Sequence, residues 1–376
     1  MPATAIQARN SYTDAMKKIR FIFLLLSLVA CTKETDRSRS DTTVRIQASI
    51  SGSEASTKAP VIGSAFPNNG SYGIFVCKNG TTTTAHKSNS WNIRATYTES
   101  TGSWNYYYVS NLSSGAVAST GYDHITLTAR DDAATADLYA YSPYVQSAYS
   151  AGPAAIPYTI AENIGNQTDL MYAQENTTSV NAALDPMSPT DLSATFTFRH
   201  AYSLLAFRFK LGHDSSTGGY GTGTTYNLTN ITVTLEDPDS DGSTTAKLYT
   251  SGTFNALTGS FNADGTEVSS LSVTYPTSGD WQCTINSAST YATAYMILVP
   301  TDVADDELVF TFTVNGQVLQ PFKLQRSQLL HDDSSTYGFR PGFKYTFNFT
   351  LDNYLFFDGF TVNDVWNVAI LGEMEI

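Results

Sequence analysis

The run Thr195-Phe196-Thr197-Phe198-Arg199-His200-Ala201-Tyr202-Ser203-Leu204-Leu205-Ala206-Phe207-Arg208-Phe209 decides the fold class. Phe196 and Phe198 alternate with polar neighbours, and Leu205, Phe207 and Phe209 repeat the alternation after a short break. A period of two sends apolar side chains to one face of a strand, whereas a helix would repeat them about every 3.6 positions. The same texture recurs along the chain. Val44, Ile46, Ala48 and Ile50 alternate with Arg45, Gln47 and Ser49. Ile231, Val233 and Leu235 alternate with threonines, and Tyr345, Phe347, Phe349 and Leu351 do so near the end. Gly, Asn, Asp or Ser closes each run, and no long helical periodicity appears. The expectation is an all-β protein of antiparallel strands, built as two tandem β-sandwiches.

Upstream of the first strand the sequence reads as an export signal. Met16-Lys17-Lys18-Ile19-Arg20 supplies positive charge, and Phe21 to Val29 is apolar. That run is about half of what a membrane-spanning helix requires, so it reads as a signal peptide. Leu28-Val29-Ala30-Cys31 has the form of a lipobox, with small residues before the thiol that would become a lipidated N-terminus. On this reading residues 1–30 are leader, 31–43 a charged tether from the membrane, 44–185 an N-terminal sandwich and 186–376 a C-terminal one with a tail strand. The division rests on the polar stretch 174–193, which contains Pro186 and Pro189 and no apolar period.

Charge and cysteine usage exclude several partners. The chain carries 21 Lys+Arg against 34 Asp+Glu. Loss of residues 1–30 would remove Arg9, Lys17, Lys18 and Arg20 but only Asp14, so the acidic excess grows. Such a surface disfavours nucleic acid and leaves the lipid as the only membrane contact. Cys77 and Cys283, far apart in sequence, make no disulfide framework for a small domain.

Catalytic signatures are sparse. The five histidines are scattered, and no G-x-S-x-G, H-E-x-x-H or phosphate-cradling glycine loop occurs. Asp131-Asp132, Asp305-Asp306 and Asp332-Asp333 lie in polar turns, and His200 reads as a hydrogen-bonded structural residue. Asp237-Pro238-Asp239-Ser240-Asp241-Gly242 begins like an oxygen-ligand loop, so Asp237, Asp239 and Asp241 are candidates for Ca²⁺. Leu248 stands where a closing bidentate Glu is needed, and the bland alternative is an acidic turn. Beyond this calcium candidate, no cofactor is expected. Trp104-Asn105-Tyr106-Tyr107-Tyr108 is either a glycan-stacking platform or strand and core packing.

Several segments, in order, resemble the fimbrillin-like lipoproteins, the type V pilins of Gram-negative gut or oral bacteria. They are the lipobox and first alternating strand, Thr57-Lys58-Ala59, Gly73-Ile74-Phe75-Val76, Asp137 to Tyr144, Asp169 to Ala173, Phe196 to Leu204, Met296 to Pro300 and Pro341 to Tyr345. The resemblance implies two transthyretin-like β-sandwich domains, export as an outer-membrane lipoprotein and assembly into surface fimbriae that serve adhesion. It implies that a surface protease removes the lipidated segment with the first strand, here Val44, Ile46, Ala48 and Ile50. A strand from a neighbouring subunit then fills the vacated groove. The cleavage position maps to Lys58-Ala59, whereas the family's proteases are typically arginine-specific. Arg37, Arg39 and Arg45 are the alternatives, and they lie before or inside the first strand.

The tail carries a donor pattern of its own. Trp366, Val368, Ile370, Gly372, Met374 and Ile376 occupy alternate positions, with Asn367, Glu373 and Glu375 among those between. Such a strand suits insertion into a groove by β-augmentation, and the plain alternative is an ordinary last strand in its own sheet. Three functions are therefore open. The first is a fimbrial subunit with sister subunits and a surface protease as partners. The second is a surface lipoprotein that binds host or bacterial glycans or proteins. The third is a glycosidase, which requires two carboxylates facing across a cleft.

Overall fold

The computed structural model describes residues 43–50, 70–78, 80–98, 100–101, 103–122, 125–126, 136–174, 193–212, 224–329, 337–352 and 354–363. The chain divides between Thr42 and Thr43, and every described residue belongs to the second unit. The leader, the tether, Cys31, Lys58-Ala59, the boundary at 185–186 and the tail from Trp366 lie outside the described residues.

The first sheet has eight strands: β1 (Thr43–Ile50), β2 (Ser71–Lys78), β3 (Ile93–Thr98), β4 (Ser103–Tyr107), β5 (Ile125–Thr126), β6 (Ala136–Ser142), β7 (Met171–Gln174) and β8 (Ser193–His200). Their order is β4-β3-β2-β6-β7-β8-β1-β5. All neighbours are antiparallel except β1 and β8, which run parallel. Polar residues 175–192 thus connect two strands of one sheet, because β8 pairs back onto β7. The chain passes from this sheet to the next at Ala201-Tyr202. There Ala201 N–H donates to the Leu170 carbonyl at 2.8 Å, and Gly342 N–H donates to the Tyr202 carbonyl at 2.8 Å.

Beyond that turn, β9 (Ser203–Leu211), β11 (Ala292–Leu298), β13 (Lys344–Leu351) and β14 (Leu355–Asn363) form a sheet in the order β11-β9-β13-β14. β10 (Tyr226–Leu235) and β12 (Leu308–Val314) pair antiparallel in a facing sheet. β9 and β13 are the second parallel pair, in register from Leu204–Lys344 to Leu211–Leu351. Register partners share a face, so Phe207 stacks on Phe347 at 5.3 Å and Phe209 on Phe349 at 5.4 Å. Ile231, Val233, Phe310 and Phe312 close the same core from the other sheet.

The alternation holds along β8, in the middle of β10 and in the second halves of β9 and β13, and the two halves of the chain meet in a common core. β6 is buried at every position. One face of the first sheet, with Ile74, Val76, Leu138, Ala140, Phe196 and Phe198, forms its own cluster. The other face gives Phe75, Tyr139, Tyr141 and Tyr172 to the same cluster as Phe207 and Phe347. A strand at Ile156–Thr159 also crosses over to pair antiparallel with Leu248–Asn255. A sheet covered on both faces loses the polar alternate positions, which is why β6 shows no period in sequence.

Candidate functional site

β1 lies between β8 and β5. On the β8 side it makes six register pairs, Arg45–Ser193 to Ile50–Phe198, and on the β5 side two, Thr43–Thr126 and Val44–Ile125. The four alternate positions of β1 are the register partners of the slot's apolar wall. Val44 pairs with Ile125, Ile46 with Ala194, Ala48 with Phe196 and Ile50 with Phe198. Ile125, Phe196 and Phe198 are 0% exposed and Ala194 1%. Thr197, between Phe196 and Phe198, and Arg199, just after Phe198, are half-buried. The wall is therefore made by period-two placement on β8, closed at one corner by Ile125.

Aromatic packing continues the wall across the sheet. The Phe196 and Phe198 rings lie 6.2 Å apart, Phe198 meets Tyr72 edge-on at 5.4 Å, and Tyr72 meets Trp104 edge-on at 4.4 Å. Burial holds the Tyr72 hydroxyl well above its ordinary range and pushes Tyr106 up to about 12, so both stay neutral in this core. Withdrawing β1 would remove the neighbour of four fully or almost fully buried side chains and leave two strand edges unpaired. Each large side chain re-exposed forfeits about 1.5–3 kcal/mol of burial, and bare edges template association.

At the end of β8, His200 Nδ1 lies 2.5 Å from Asp169 Oδ2, with side chains 3% and 0% exposed. Burial holds the Asp169 carboxyl above the usual carboxylate range, while the adjacent His200 pulls the other way. The pair ties the end of β8 to the segment that leads into β7, as the structural reading of His200 requires. Its acidic partner, distant in sequence, could not be picked out of the chain.

The remaining candidates resolve locally. Asp237 Oδ2 accepts from Gly242 N–H at 2.7 Å, and Asp241 Oδ1 accepts from Ser243 N–H at 2.9 Å. Those carboxylates serve the turn after β10, and Asp239 is exposed. Among the described residues no three of His, Cys, Asp and Glu could share a metal ion. Asp305 accepts from the Arg326 N–H at 2.7 Å, and Asp306 from the Gln325 amide, so this acidic pair serves loop contacts. The following Glu307, buried, accepts N–H groups of Thr245, Ala246 and Ala304. Of the aromatic run, Tyr106 is buried and Trp104 and Tyr108 pack against the first cluster. Tyr107 lies under the Arg94 guanidinium at 4.6 Å. Among the described residues no helix is long and apolar enough to cross a membrane.

The sequence reading missed β5, the second wall of the slot. Its signal is the short alternation Ile125-Thr126-Leu127-Thr128, which comes after Gly121 and Asp123.

No curated protein matches the sequence. Among solved structures, a candidate cell adhesion protein from Bacteroides ovatus superposes with a TM-score of 0.50 at 18% identity, covering 87% of this chain and 99% of that one. A second, from Bacteroides uniformis, gives the same TM-score, identity and coverage. At this identity the likeness is one of fold. The profile of the fimbrillin-like family matches residues 57–376, the whole of the chain downstream of the first strand and its exit, and the protein belongs to that family.

Proposed function

We propose that this protein is a fimbrial subunit that polymerises by exchanging β1 for the tail strand of another copy. It would be exported as a lipoprotein through Cys31 and released for assembly by cleavage at Lys58-Ala59, with adhesion as the purpose of the fibre. The observation that carries the reading is the position of β1. It is an N-terminal strand inside a sheet, parallel to β8, and its apolar positions pair with fully or almost fully buried residues of the first core. A strand at that place can be removed without cutting the order β4-β3-β2-β6-β7-β8, and β5 then loses its neighbour in the sheet. The tail alternates with the same period and lies directly after β14. Family membership supports the fimbrial role.

The experiment is limited trypsin digestion of the purified protein, then gel analysis without boiling. Cleavage near Lys58 should leave a core beginning around Ala59 that assembles into SDS-resistant ladders. Val368→Asp with Ile370→Asp should leave folding and cleavage intact and abolish the ladders, because carboxylates would have to be buried unpaired. Ladders of wild-type length from that variant contradict strand exchange through the tail.

A further inference from the structure

The tail and β1 share a size pattern as well as a period. The alternate residues of β1 are Val44, Ile46, Ala48 and Ile50, three large and one small. Those of the tail include Val368, Ile370, Gly372 and Met374, again with one small residue in third place. In the structure the small residue of β1 is in register with Phe196, one of the two 0%-exposed phenylalanines of the β8 wall. Neighbouring strands lie about 4.8 Å apart, so directly paired positions on one face compete for the same volume. Phe198, equally buried, is in register with the large Ile50, so the small place belongs to the Phe196 position, and an interior packed to crystal density does not absorb an extra side chain there.

Building on the strand-exchange reading, we infer that Gly372 sets the register of the donated tail by seating opposite Phe196 of the accepting copy. The occupant of the slot is thus residues 364–376 of a second copy of this chain, with Gly372 in the place of Ala48. The assignment is the same for either strand direction. A tail running as β1 does puts Val368, Ile370 and Met374 in the places of Val44, Ile46 and Ile50. A reversed tail puts Ile376, Met374 and Ile370 there. A slip of two residues either way sets Ile370 or Met374 against Phe196, and a slip of one turns the polar face inward.

Size exchange and cross-linking test this on the trypsin-processed protein. Gly372→Phe should reduce ladder formation at least about tenfold, the cost of overpacking a closed core. Combining it with Phe196→Ala should restore most of the yield, since the two volumes are swapped. Gly372→Ala, which supplies the methyl of Ala48, should assemble at least as well as wild type. A second readout leaves the core unaltered. Cysteines at 371 and 373 should each be captured by a short thiol cross-linker, one by Thr195→Cys and the other by Thr197→Cys of the accepting copy. Cysteines at 369 and 375 should be captured by neither. Cross-links from 369 or 375, or full ladders from Gly372→Phe alone, overturn the register while leaving strand exchange standing. Absence of ladders from wild type overturns strand exchange itself.

Discussion

Two thiols show how closely packed this molecule is at the scale of single residues. Cys77 and Cys283 are free and buried. Burial pushes both up to about 12, with the charge of Asp137 adding to the effect at Cys77. At pH 8 almost none of either exists as the reactive thiolate. A thiol-exchange reagent should therefore leave both untouched in the folded protein and modify both in denaturant, read by mass spectrometry. Linkage gives a second consequence. A folded-state value raised from the ordinary 9.0 contributes stability that is complete below pH 9 and is lost as pH rises towards 12. The fall in melting temperature between about pH 9 and 11 should shrink when both are replaced by Ala. An equal fall in that variant would place the alkaline sensitivity elsewhere. At this scale the sequence is informative wherever period two operates, as at Phe196 and Phe198. It is silent on the His200–Asp169 contact, because nothing local marks which carboxylate a distant histidine will meet.

Among the elements, β1 and β6 mark the limits of reading by pattern. β1 alternates visibly, and its four apolar positions pair with Ile125, Ala194, Phe196 and Phe198. Its partners are not legible in sequence, because parallel pairing joins segments far apart in the chain and leaves no hairpin signal between them. β6 is buried throughout and so carries no alternation. The polar prolyl stretch 175–192 has the composition of a domain linker, yet a loop between two strands of one sheet has the same composition, and β8 returns to β7. The small residue at position 48 gives a test within the unprocessed protein. Ala48→Phe should destabilise the fold by about 1–3 kcal/mol, measured by urea unfolding. It should also hasten trypsin cleavage downstream of β1. A variant as stable and as protease-resistant as wild type would mean that Phe196 does not restrict what lies beside it.

For the whole molecule, the two halves share a core, since the first sheet gives Phe75, Tyr139 and Tyr141 to the cluster that also holds Phe207 and Phe347. The slot, by contrast, opens on the other face, in the cluster with Phe196 and Phe198. On the proposed reading, exchange of one strand there would leave the shared core intact. Anchoring belongs to this scale as well. Cys31→Ser should abolish incorporation of a fatty-acid analogue and leave unprocessed precursor, and equal label in the variant would remove Cys31 as the attachment point. Strand exchange as the route to the fibre is decided by the N-terminal sequence of the subunit within purified surface fibres. That sequence should start downstream of Ile50, at Ala59, with β1 absent; fibres whose subunits start at Cys31 and retain β1 would contradict strand exchange.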